Sequence, residues 1–106
     1  MFVAQTTTTE LIRSLRPVVT KVRGHSPALA DQLTRAATSV ALNLAEGTRR
    51  SGRDQRRVYR IAAAEAQEVR AALETIHAWG YLDDDALALP RHLADRVGAL
   101  TYGLLR

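Results

Sequence analysis

Cysteine is absent from the 106 residues, which excludes a disulfide framework, thiol catalysis and thiolate metal sites. Aromatic residues are scarce, with one Phe, one Trp and three Tyr. That is too few for the several-ring base-stacking platforms of sheet-based RNA modules. No apolar run approaches the roughly 20 residues that span a bilayer. The threonine-rich start, Thr6 to Thr9, has neither the basic region nor the apolar stretch of a secretory signal. A cytoplasmic location with no membrane partner is the resulting expectation. Alternating strand patterns, repeats and low-complexity segments are also missing. What is present is 46% hydrophobic and 25% charged, the balance of an ordinary globular protein, and the length suits a single domain over residues 1–106.

Hydrophobic spacing predicts four helices, over about residues 8–23, 27–46, 52–79 and 84–105. The first carries Leu11, Leu15, Val18, Val19 and Val22 at steps of three and four, with Thr7 and Glu10 spaced as a capping box. Pro17 should bend it, unless the helix starts later. Gly24 stops it, and Ser26 followed by Pro27 predicts an N-cap with proline at the first helical position. The second helix places Leu29, Leu33, Ala36, Ala37, Val40 and Leu44 on one stripe. Leu42 falls on another face with Arg35, Ser39 and Glu46, so this helix needs more than one neighbour.

Gly47 is expected as a left-handed terminator, with Ser51 as the next N-cap and Asp54 in the following turn. The third helix repeats Val58, Ile61, Ala62, Val69, Ala72, Leu73 and Ile76, and Gly80 ends it. Tyr81 and Leu82 make a hydrophobic corner before Asp83, Asp84 and Asp85, acids suited to the positive end of the fourth helix. There Ala86, Leu89, Leu93, Val97, Leu100 and Leu104 form the expected stripe, with Pro90 either a kink or the true first turn. Short turns between four helices predict an all-α, antiparallel up-down-up-down four-helix bundle.

Charge is unevenly placed. Gly47 to Arg60 holds Arg49, Arg50, Arg53, Arg56, Arg57 and Arg60 against Asp54, a local +5 in a chain whose total is +4, so all other residues together sum to −1. Arg53, Arg56, Arg57 and Arg60 fall within an arc of about 100° on a helix, and Arg49 and Arg50 extend the patch over the preceding turn. Cations in a first helical turn oppose the macrodipole by about 0.3–1 kcal/mol each when exposed. A phosphate reverses that sign by accepting from the guanidinium groups and the free backbone N–H groups together. Three readings stay open: a nucleic acid or other polyanion, pairing with a neighbouring subunit or an acidic protein surface, and plain solvation.

The run DQLTRAATSVALNLAEGTRRS, Asp31 to Ser51, resembles the signature of a bacterial four-helix-bundle family encoded by intervening sequences of 23S ribosomal RNA genes. Its Arg-Ala pair, Ser and Asn-x-Ala-Glu-Gly ending fall on Arg35, Ala36, Ser39, Asn43, Ala45, Glu46 and Gly47. The similarity continues through RIAAAEAQEV and HAWGYL, where Glu68, Gly80, Tyr81 and Leu82 fit. It covers residues 27–105 well and the first helix by length alone; Pro17 and Glu65 depart from the pattern.

The resemblance implies a bundle that assembles as a ring-shaped homopentamer without established catalytic activity. A related branch, the accessory variability determinants of diversity-generating retroelements, is basic and pentameric and associates with a reverse transcriptase and nucleic acid. Partners expected on this basis are further copies of the chain, nucleic acid with RNA favoured, and a reverse transcriptase.

Other residues favour structural roles. Asn43 and Glu46 flank the second helix's end, where Asn43 is expected to bond across the bundle and Glu46 to pair locally, satisfying a corner with several orphan carbonyls. Glu65 sits inside the third helix's apolar stripe, where it needs a partner such as Arg35 or a subunit contact. Glu74-x-x-His77 has the spacing of a di-iron ligand pair, but no second Glu-x-x-His exists, so no metal and no cofactor are expected. His25, His92, Ser39 and Ser51 lack catalytic companions at legible spacing, and the chain is not expected to be an enzyme. Leu42, Tyr59, Trp79 and Tyr102 are either core or oligomer interface, with Leu42, Tyr59 and Trp79 the interface candidates.

Overall fold

The structure is a computed structural model that describes residues 2–106. Its helices are α1 (Val3–Arg23), α2 (Pro27–Gly47), α3 (Gly52–Ala78) and α4 (Asp84–Gly103), and no strand occurs among the described residues. Each helix packs on its neighbours in the chain, and α1 closes the ring against α4. The short turns make successive helices antiparallel, so the all-α up-down-up-down bundle is present, 43 × 22 × 20 Å across its principal axes. The α1–α2 and α3–α4 turns share one end. The α2–α3 turn, Phe2 and the residues after α4 share the other.

Helix α1 begins at Val3, five residues before the expected start. Thr7 and Glu10 therefore form no capping box; the Gln5 side chain accepts from the Phe2 N–H at 3.2 Å instead. Thr7 and Thr8 are buried, and the Thr8 hydroxyl donates to the Ala4 carbonyl at 2.7 Å. A threonine that returns its hydroxyl one turn back can lie inside a helix with only its methyl offered to the core. Pro17 and Pro90 both stand inside their helices, so neither marks a first turn. Pro17 is exposed, as is Arg13, whose carbonyl the proline leaves without its intrahelical donor.

The α2 start follows expectation, with Ser26 Oγ accepting from the Leu29 N–H at 3.1 Å and Pro27 next in line. Gly80 ends the α3 segment at φ +75°. Asp83 caps α4, its carboxylate accepting from the Ala86 N–H at 2.9 Å, and Asp84 and Asp85 occupy the first turn.

The core is built from Leu11, Leu15, Val18 and Val22 of α1, Leu33, Val40 and Leu44 of α2, and Val58, Val69, Leu73 and Ile76 of α3, with alanines between them. The fourth helix buries Leu93 and Val97 of the expected stripe and half-buries Ala86, Leu100 and Leu104. Leu87, Pro90, Ala94 and Thr101 are buried as well, while Leu89, expected inward, is 58% exposed. Ala94 and Gly98 are the small residues on the inner side, and Gly98 lies against the Arg70 and Gln67 side chains of α3. Leu87→Ala is expected to cost about 2–5 kcal/mol of stability, whereas Leu89→Ala should stay within about 0.5 kcal/mol of the parent. Urea unfolding of the two variants measures the contrast.

Candidate nucleic-acid interface

The basic segment is positioned by the corner between α2 and α3. Gly47 lies in the last turn of α2, in the helix and not in the left-handed region, so its expected role as terminator is corrected. A Cβ there would overlap the ring of Tyr59. Glycine is required because the α3 tyrosine presses on the α2 backbone, not because the chain reverses hand.

Tyr59 is itself only 9% exposed and lies 6.4 Å, centroid to centroid, from Phe2. It is a core residue of the bundle, which removes it from the interface candidates.

The carbonyls freed at the corner find a partner that spacing did not reveal. Gln55 Nε2 donates to the Gly47 and Arg50 carbonyls, both at 2.9 Å. One α3 side chain thus ties the end of α2 to the turn that follows it. Asn43 was expected to reach across the bundle; it bonds within α2, its amide donating to the Ser39 carbonyl at 2.9 Å and the Ser39 hydroxyl at 3.1 Å. Ser51 stands at the N-cap of α3 without a side-chain capping bond. Gly52 follows at φ +57°, a backbone conformation that a Cβ would strain.

On this corner the arginines divide into one and five. Arg50 pairs with Glu46, with Nε at 2.9 Å and Nη2 at 2.8 Å from Oε1, the local pair expected of Glu46. Arg49, Arg53, Arg56, Arg57 and Arg60 are exposed, and among the described residues none of them pairs with a carboxylate. Asp54, the one acid of the segment, is exposed as well. Five guanidinium groups therefore present all their donors outward over about two turns of helix and a loop.

The remaining candidates separate. Leu42 is 65% and Trp79 69% exposed, so both remain available to a second molecule. Glu65 is half-buried, not enclosed in the core; it lines a groove between α2 and α3 with Arg35, Ser39 and Glu68. Among the described residues neither Glu65 nor Arg35 makes an ion pair.

Glu74 and His77 turn to α4 and not to each other. Glu74 Oε1 lies 3.0 Å from Arg91 Nε, and His77 Nε2 lies 2.9 Å from Asp84 Oδ1, which also faces Arg91 Nη1 at 3.1 Å. No group of three or more metal-ligating side chains lies together among the described residues, and no helix among them is long and apolar enough to cross a membrane.

An antiparallel helical ring with five exposed, unpaired arginines at one corner defines a small basic four-helix bundle. The family model described as 23S rRNA-intervening sequence protein matches residues 7–103, and the chain belongs to that family. A protein with unknown function from the S23 ribosomal protein family of Bacteroides thetaiotaomicron VPI-5482 has a similar solved structure. The TM-score is 0.85 over 98% of this chain and 99% of that one, at 18% identity, which makes the likeness one of fold. No curated protein sequence matches the chain.

Gly47→Ala is expected to destabilise the protein by about 1–3 kcal/mol, the range for overpacking a filled site. Most of the loss should disappear when Tyr59→Leu is introduced with it. A denaturation double-mutant cycle reads the coupling directly.

Proposed function

We propose that this protein is a non-enzymatic, self-assembling basic bundle that binds RNA or a DNA/RNA hybrid through Arg49, Arg53, Arg56, Arg57 and Arg60. The observation that carries the reading is the absence of a carboxylate partner for these five exposed side chains around one corner, where Arg53 in the first turn of α3 also opposes the macrodipole. Phosphate oxygens supply what the fold withholds, accepting from guanidinium groups and from the free N–H groups of the first α3 turn. The contacts are to the backbone and are not sequence-specific, because arginines ranged along one helical face with no base-reading module select charge and spacing.

Assembly as a homopentamer multiplies the patch by the symmetry of the ring and turns weak contacts into avidity. Exposed Leu42 on α2 supports an interface on that helix. A bundle that neutralises phosphates without reading bases suits an accessory to an enzyme that handles RNA and hybrids in turn, a reverse transcriptase.

Neutralising about four phosphates per site gives a slope of log affinity against log salt near −3 to −4. The variant carrying Gln at positions 53, 56, 57 and 60 should bind labelled RNA at least about tenfold more weakly, flatten that slope, and be no less stable than the parent. Affinity that is unchanged by salt, or by the four substitutions, overturns the reading. Light scattering of the same variant separates it from an arginine-mediated protein scaffold, which would lose its assembly along with its arginines. Nucleic-acid binding predicts that assembly survives.

A further inference from the structure

The row of α3 that carries Arg53, Arg56 and Arg60 continues, at steps of three and four, through Ala63, Gln67, Arg70 and Glu74. Its upper part runs alongside α4. Glu74 meets Arg91, Arg70 pairs with Asp95 at 2.9 Å, and Gln67 and Arg70 flank Gly98. Arg91, Asp95, Gly98 and Tyr102 form the matching row of α4, again at steps of three and four. Because the helices are antiparallel, carrying this register one turn past Gly98 brings Tyr102 beside Ala63, within a turn of Arg60.

Tyr102 is 64% exposed, its ring approached by the Arg106 guanidinium at 6.0 Å from the centroid. The residues from Gly98 to Arg106 include no acid, and those from Arg53 to Ala64 include only Asp54. The register thus places an exposed aromatic ring, with the Arg106 guanidinium near it, at the end of the arginine row on ground that does not repel phosphate.

We propose that Tyr102 is a stacking platform for an unpaired nucleobase, so that the preferred ligand of the arginine stripe is single-stranded RNA. The inference rests on the RNA-binding reading above and narrows it. A strand laid along Arg53, Arg56 and Arg60 with its phosphates toward the guanidinium groups brings a base to the ring at the end of the row. A duplex keeps its bases stacked inside and offers the ring nothing. Scarcity of aromatics excludes a platform of several rings, but one ring is enough to add a stack to an electrostatic groove.

Fluorescence anisotropy with a labelled oligouridylate, and with an oligoadenylate–oligouridylate duplex of equal length, tests the assignment. Tyr102→Ala is expected to weaken single-strand binding by about 5- to 150-fold, the range for losing one base–aromatic stack. Duplex binding should stay within about twofold, since that affinity rests on phosphate contacts alone. Tyr102→Phe should bind the single strand like the parent, and Leu89→Ala, at an exposed apolar position of the same helix outside this row, should leave both ligands unaffected. Parent-like single-strand affinity in Tyr102→Ala, an equal loss on both ligands, or failure of Tyr102→Phe to retain binding overturns the stacking role while leaving the arginine reading intact. A parent protein that binds neither ligand removes both.

Discussion

The missing side chain at position 47 is the constraint from which the basic corner follows. It lets the Tyr59 ring lie against the α2 backbone, which fixes how closely the start of α3 approaches the end of α2. Gln55 adds two bonds across the corner, to the Gly47 carbonyl, which also accepts from the Arg50 N–H, and to the Arg50 carbonyl. These bonds tie the turn to α3 and so to the segments that carry Arg49, Arg53, Arg56, Arg57 and Arg60. Arginines on a tethered corner would lose less freedom on meeting a ligand than arginines on a loose loop.

The same corner carries an electrostatic conflict. At two other helix ends the chain complements the dipole: Asp83, Asp84 and Asp85 gather at the start of α4, and Lys21 and Arg23 at the end of α1. Ion pairs also link α3 to α4 through Arg70 with Asp95 and Arg91 with Glu74. The start of α3 instead holds Arg53 beside Asp54, with Arg49 before it and Arg56 and Arg57 in the turn that follows. Five unpaired arginines around one helix start depart from local charge complementarity, and such departures are where function is expected to show.

Much of this was legible in the sequence. The bundle, the Ser26-Pro27 start of α2 and the arginine face follow from spacing alone, because helical periodicity and capping chemistry are local. The failures share a different cause. Thr7 and Thr8 could cap a helix or bury their methyls within one, and only the helix they pack against decides. Gly47 could serve a left-handed turn or a close approach, and the sequence does not say that Tyr59, twelve residues on, is what approaches. Leu87 and Leu89 stand two residues apart near the start of α4, and which of them turns inward is decided by how that helix sits against α1 and α3. Gln55 carried no recognisable signal, since an amide that binds two backbone carbonyls looks in sequence like any polar surface residue.

The topology places the arginines and the three consecutive aspartates at opposite extremes of a body 43 Å long. If the ligand is the polyanion proposed above, such a charge separation would exert a torque in its field and turn the molecule arginine end first before contact. Screening over about 8 Å in physiological salt would then hide the far aspartates from a strand held at the arginines. The aspartates would thus aid alignment on approach without weakening the contact once made.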